Sequence, residues 1–255
     1  MKKAKKFLAI ILCVAAVACL FAACSGSEKT LTLATSADFP PYESIGDNGD
    51  YVGIDIEVAQ AIADKLGYKL DVQNMDFDSV IAAVSTGKAN MGMAGLTVTD
   101  ERKQSVDFST SYATGIQAVI VAENSAIKSV DDLYADGVTY KVGVQLSTTA
   151  DIYFSDDIDN GDTTCTIEEY QTGAEAVASL VAGKIDAVII DNEPAKSFVA
   201  ANDGLVILDS KYAEEDYAIA FTKDGELNAD INKALEELIA EGKVQEIVDK
   251  YIPAE

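Results

Sequence analysis

Histidine and tryptophan are absent from this chain of 255 residues, and arginine occurs once, at Arg102. Without histidine, the Ser-His and Cys-His nucleophile pairs and the commonest general base drop out, so no catalytic residue is assigned. Cysteine is scarce: Cys13 and Cys19 sit in an apolar leader, which leaves only Cys24 and Cys165 beyond it. That excludes a disulfide framework and any zinc-type cluster, and neither a metal nor a cofactor is expected. Basic residues are also few against 43 acidic ones, for a net charge of −24. Nucleic acid and anionic lipid headgroups need a basic patch, and such a surface repels them.

The exception to the acidic character is the start. Lys2, Lys3, Lys5 and Lys6 precede the apolar run from Phe7 to Ala23, the pattern of a secretory signal. The junction Leu20-Phe21-Ala22-Ala23-Cys24 resembles a bacterial lipoprotein lipobox, with Phe21 departing from the usual leucine. Residues 1–23 are therefore expected to be removed, Cys24 to carry lipid, and 24–29 to act as a tether. An anchor of that kind holds a domain on the outer face of a membrane.

From Thr30 onward, short β-rich runs alternate with amphipathic stretches, which argues for an α/β fold with largely parallel sheet. Leu31 to Thr35 reads as a strand ending in a stiff turn, because Pro40 and Pro41 bar helix beside Phe39 and Tyr42. Ile54, Val58, Ala61, Ile62 and Leu66 share one helical face, which Gly67 stops. A helix is expected over 78–84 with Phe77 just ahead of it, then a strand over 90–94. Strands are also expected over 115–122, 140–144 and 216–222, and two terminal helices come last with Gly242 between them.

Arg102 stands where the strand ending at Ala94-Gly95 meets Thr99, which is placed to cap an acidic turn. A guanidinium presents a planar fork of donors suited to a carboxylate. A second strand-to-helix turn, Gln145-Leu146-Ser147-Thr148-Thr149, offers hydroxyls and free amides of the kind that attract anions. The segment from Val80 through Gly87-Lys88 to Gly95 echoes that from Ala176 through Gly183-Lys184 to Asp191. Two similar lobes are implied, each presenting a strand end to a shared cleft, with Asp191 at the place of Gly95.

Four motifs in order carry a wider resemblance: Asp38-Phe39-Pro40-Pro41-Tyr42-Glu43, Gly53-Ile54-Asp55-Ile56-Glu57-Val58-Ala59, Ala94 through Arg102, and Gly183-Lys184-Ile185-Asp186-Ala187 with Asp191. On these, nearly the whole chain after the leader resembles the polar amino-acid solute-binding proteins of ATP-binding-cassette importers. The resemblance implies a two-lobed periplasmic-binding-protein-like fold of type II, hinged by two crossover strands near 114–119 and 216–220. One lobe would comprise 30–113 with 217–255 and the other 114–216.

The same resemblance assigns roles. Arg102 would clamp a ligand α-carboxylate, helped by amides near Thr97 and Thr149. Asp191 and the Gly95 carbonyl would receive the α-ammonium, Thr97 would add a hydroxyl, and Phe39 and Phe77 would sandwich the side chain. Ala94, Ser36 and Gln145 complete the expected lining. Ser36 departs from relatives that place an acid there for basic or glutamine ligands, and Gln145, Glu43 and Glu193 are alternative polar contacts. The expectation is a monomeric, lipid-anchored, extracytoplasmic receptor that delivers a polar L-amino acid to membrane permease subunits. An enzyme of the prephenate or arogenate dehydratase type on the same scaffold is the alternative.

Overall fold

The computed structural model describes residues 29–253. The leader 1–23 and Cys24 lie outside the described residues. Everything from Leu31 on belongs to one compact unit, built around two separate sheets with helices on their faces.

The first half opens with β1 (Thr30–Thr35), then β2 (Asp38–Phe39), β3 (Glu43–Ile45) and β4 (Tyr51–Val52), which pair as a small antiparallel meander. Helix α1 (Ile54–Leu66) forms because its apolar positions recur at helical spacing. Ile54, Val58 and Ile62 are fully buried, and Ala61 and Leu66 pack against the same core. Gly53 at its entrance has φ 133°, and a Cβ there would lie 2.2 Å from the Tyr42 carbonyl oxygen, so only glycine fits. Gly67 closes the helix in the left-handed region, as expected. Next come β5 (Lys69–Asn74), α2 (Phe77–Ser85), β6 (Met91–Gly92) and β7 (Val106–Phe108).

The second half runs through β8 (Ala113–Ala122), β9 (Lys141–Gln145), α3 (Thr149–Asn160), β10 (Thr166–Tyr170), α4 (Gly173–Val181), β11 (Ala187–Asp191), α5 (Asn192–Ala201), β12 (Leu205–Ile207) and β13 (Ala213–Tyr217). The chain then returns to the first sheet as β14 (Ala220–Thr222) and ends in α6 (Asn228–Ala240) and α7 (Lys243–Tyr251). Ile231, Leu235 and Leu238 of α6 are buried as the periodicity implies, whereas Ile239 is exposed.

The first sheet has the order β5-β1-β6-β14-β7, and the second is ordered β10-β9-β11-β8-β12, with β13 also on β8. Both are mixed, which corrects the expectation of largely parallel sheet. β1 and β6 are parallel, as are β10, β9 and β11, but β14 and β8 run antiparallel to their neighbours. The cause is connectivity: β8, which brings the chain into the second sheet, and β14, which returns it to the first, are the reversed strands, and the passage out and back runs along β8 and β13. They pair with each other from Ala213 opposite Gln117 to Tyr217 opposite Ala113.

The strand expected over 216–222 is split for the same reason. Tyr217 still bonds within the second sheet and Ala220 already pairs with Gly92 in the first. Between them, the Ala218 amide donates to the Leu96 carbonyl at 3.1 Å. The strand expected over 90–94 shrinks to Met91–Gly92, and Phe77 is the first residue of α2 rather than a residue before it.

Candidate functional site: a cavity at the strand ends

The carboxyl ends of β1, β6 and β9 meet β8, β13 and the start of α3 around a cavity. It is lined by Ser36, Asp38, Phe39, Phe77, Ala94, Gly95, Thr97, Arg102, Gln117, Gln145, Thr148, Thr149 and Tyr217. Nine of the residues expected from sequence are among these, all but Asp191. Strand ends in open α/β sheets gather ligands because backbone groups and loop side chains converge there.

The turn after Ala94 is built from the backbone outward. Gly95 has φ 56°, and a Cβ on it would come within 3.0 Å of the Phe39 ring. Its amide donates to Oδ2 of Asp55 at 3.0 Å, and the Tyr112 hydroxyl donates to Oδ1 of the same carboxylate at 2.6 Å. Asp55 and its neighbour Glu43 are fully buried, and burial raises the pKa of both. Glu43 does not line the cavity. It belongs with Asp55 beneath the turn.

Thr99 behaves as a cap, its hydroxyl accepting from the Arg102 amide at 3.1 Å, but the segment it caps is a single 3₁₀ turn, Arg102–Gln104, in place of an α-helix. Arg102 is 7% exposed, and its guanidinium donates to the carbonyls of Thr97 and Ser147, each at 3.0 Å. It also lies over the Phe77 ring at 5.6 Å. No carboxylate forms an ion pair with it among the described residues. Burial lowers its pKa, and the negative field of Glu215 opposes that shift. A buried cation bonded only to neutral carbonyls is a site that an anionic ligand group stabilises.

Opposite Arg102, the turn after β9 is held open by hydrogen bonds. The Ser147 amide donates to Asp151, and the Thr148 hydroxyl donates to the Gln145 carbonyl while accepting from the Asp151 amide. Ser147 takes a left-handed φ of 64°, a conformation uncommon outside glycine. Thr149, the first residue of α3, presents the positive end of a 12-residue helix to the cavity.

Asp191, at the end of β11, lies one layer behind the wall and is 1% exposed. Its Oδ2 accepts from the Tyr217 hydroxyl at 2.7 Å and the Ile116 amide at 3.1 Å, and its Oδ1 accepts from the Glu193 amide at 3.0 Å. Burial outweighs these donors and pushes its pKa up to about 6. Glu193 does not line the cavity.

Sequence reasoning missed Asp38, Gln117 and Tyr217 as wall residues, and Glu215 just behind them, and it placed Thr148 in the hydroxyl-bearing turn without including it in the expected lining. Two signals were available: Gln117 is the one polar side chain within the apolar run Ile116-Gln117-Ala118-Val119-Ile120, and Asp38 opens the first of the four motifs. Glu215 is 5% exposed, its Oε2 accepting from the Thr97 hydroxyl at 2.9 Å and from Gln117 Nε2 at 3.1 Å. Tyr217 crosses the face of Gly115, where any Cβ would lie 2.3 Å from its ring.

Two α/β lobes with a cavity between their strand ends define a cleft-binding protein. The bacterial extracellular solute-binding proteins, family 3, match residues 31–254, and this chain belongs to that family. It is 37% identical over 263 residues to the arginine-binding extracellular protein ArtP of Bacillus subtilis, covering 98% of this chain and 99% of that one. Among solved structures it is similar to an ancestral arginine-binding protein bound to arginine, with TM-score 0.81, 38% identity, and coverage of 89% of this chain and 100% of the other. It is also similar to AncCDT-1, described as an ancestral amino-acid-binding protein and a precursor of cyclohexadienyl dehydratase. There the TM-score is 0.77 at 33% identity, over 87% of this chain and 95% of that one. No helix among the described residues is long and apolar enough to cross a membrane.

Proposed function

We propose that this protein captures a polar L-amino acid between lobes comprising 30–113 with 217–255 and 114–216, and delivers it to the permease of an ATP-binding-cassette importer. The observation that carries this reading is the buried Arg102 guanidinium, which faces the cavity without a carboxylate partner among the described residues. A ligand α-carboxylate completes it, with the start of α3 at Thr149 adding amide donors. The α-ammonium goes to the Gly95 carbonyl and the Thr97 hydroxyl, and Asp191, one layer behind the wall, supplies negative charge through the Tyr217 hydroxyl that donates to it. Phe39 and Phe77 supply apolar walls. Relatives with amino-acid ligands support the reading.

The protein acts as a monomer at the outer face of the membrane, held by lipid on Cys24 after loss of 1–23, and it performs no catalysis. Likeness to a dehydratase precursor keeps an enzymatic alternative testable: incubation with prephenate or arogenate is expected to yield no aromatic product. The main test is a thermal-shift panel of the twenty amino acids. A ligand held near ~1 µM and supplied at ~1 mM stabilises by about 4 kcal/mol. If no amino acid raises the melting temperature, the reading is wrong.

A further inference from the structure

Along β13 burial alternates with the strand period: Glu214 and Asp216 are exposed, Glu215 and Tyr217 buried. Of the acidic run Glu214-Glu215-Asp216, only Glu215 therefore turns inward. Thr97 is brought beside it by a backbone bridge to Tyr217. An inward acid often neutralises a buried cation, but Glu215 forms no ion pair among the described residues. Its field reaches Arg102, yet its hydrogen bonds go to two neutral wall residues, Thr97 and Gln117. Burying a carboxylate without a paired cation is costly, so stability alone does not explain the acid at this position.

What the acid does to its partners follows from their donors. A carboxylate only accepts, and a hydroxyl has a single proton to give. With that proton committed to Glu215 Oε2 at 2.9 Å, the Thr97 hydroxyl meets any other group only as an acceptor. The Gln117 amide is turned the same way: its Nε2 faces Glu215 at 3.1 Å, which leaves Oε1 as the free end. Thr97 also gives its carbonyl to Arg102 at 3.0 Å, so it stands beside the cation that suits a ligand carboxylate. A hydroxyl free to rotate there could donate to that carboxylate; one held by Glu215 can only receive an N–H.

We infer that Glu215 is a positioning residue which, by accepting the Thr97 proton, makes that hydroxyl an acceptor for the ligand's α-ammonium and so helps the site tell an amino acid from the same acid without its amino group. This rests on the amino-acid reading and deepens it. Glu215 stands behind the wall and acts through Thr97, whatever side chain the ligand carries.

The test is displacement calorimetry with the amino acid that the thermal-shift panel ranks first and the acid that lacks only its α-amino group, for instance L-arginine with 5-guanidinopentanoate or L-glutamine with 4-carbamoylbutanoate. Glu215→Leu removes the acceptor and is expected to weaken the amino acid about tenfold or more, the range of one hydrogen bond to a charged group, while the des-amino acid changes by less than about threefold. Glu215→Gln keeps a carbonyl oxygen for the Thr97 proton and is expected to return the ratio of the two affinities to within about threefold of native. In a Thr97→Val background, Glu215→Leu is expected to cost the amino acid less than about threefold further. Equal weakening of both compounds in Glu215→Leu makes Glu215 merely structural and overturns the inference, as does a Glu215→Gln variant no better than Glu215→Leu, which would assign the effect to charge. If a thermal melt shows that Glu215→Leu does not fold, Thr97→Val tests the same bond from its other end, and an unchanged ratio there overturns the inference and leaves the amino-acid reading standing. If no amino acid binds the folded native protein, both readings fall together.

Discussion

The Tyr217 hydroxyl donates to Oδ2 of Asp191 at 2.7 Å, and it does so from a ring that itself forms part of the cavity wall. An acid that does not touch the cavity is thereby tied to a residue that does. Both groups are 1% exposed, so water does not replace either partner. Tyr217→Phe removes the donor, and leaving a buried acceptor short is expected to cost about 1–3 kcal/mol in chemical denaturation. Amino-acid affinity at neutral pH is expected to fall as well, because Asp191 becomes harder to ionise. Unchanged stability and affinity would mean that the bond is incidental.

Asp191 has a pKa near 6 where an ordinary aspartate lies near 3.8. An ammonium prefers the ionised form, so affinity is expected to fall as pH drops through about 6, with a proton released on binding below that point. For the ligand-free protein the sign is opposite. The folded state holds this proton more tightly than the unfolded chain, so the Asp191 contribution to stability is full below the unfolded value and lost as pH rises through about 6. Comparing the native protein with Asp191→Asn at pH 5 and 7.5, by calorimetry and by denaturation, isolates this group from other buried acids. A pH-independent affinity in the native protein would contradict the ammonium role.

Arg102→Ala is expected to lower amino-acid affinity by more than about a hundredfold, since a bidentate, charge-assisted contact disappears. The fold is expected to survive, because the guanidinium makes no ion pair among the described residues and its two hydrogen bonds go to backbone carbonyls. Arg102→Lys is expected to recover only part of the loss, lacking the planar fork. Native affinity in the alanine variant would reduce Arg102 to a structural cation.

Gly95→Ala places a side chain in the left-handed region at φ 56° and brings its Cβ to 3.0 Å from the Phe39 ring. The backbone penalty is about 1–2 kcal/mol, and the displaced Phe39 is expected to weaken ligand binding in addition. A thermal melt with and without ligand separates the two effects.

Leu33→Ala tests the first sheet rather than the cavity. Leu33 is fully buried on β1 opposite Met91, and truncation is expected to cost about 2–5 kcal/mol. Because the change is remote from the wall, the affinity of the remaining folded protein is expected to stay near native.

Much of the local structure comes from periodicity and stop signals. α1 and its glycine stops, α5 and the division between α6 and α7 are short-range matters, settled within a few residues by apolar spacing and by glycine at left-handed positions. The site's outline was legible as well, because Arg102, Gly95 and Thr97 lie within a short stretch of chain, as do Gln145 and Thr149. A lone arginine in an acidic chain and hydroxyls at a helix start carry their chemistry in residue type.

Long-range pairing decided the rest. Where 216–222 breaks depends on which sheet each amide finds, and nothing in Tyr217-Ala218-Ile219 declares that. Glu215 and Gln117 face Thr97 because β13 crosses beside β8, and Tyr217 reaches Asp191 across a gap that only Gly115 leaves open. The sequence by itself determined the types of element and the one positively charged group among the described wall residues. The tertiary structure decided which acids surround that charge, since the distances between side chains far apart in the chain are set by sheet register and burial.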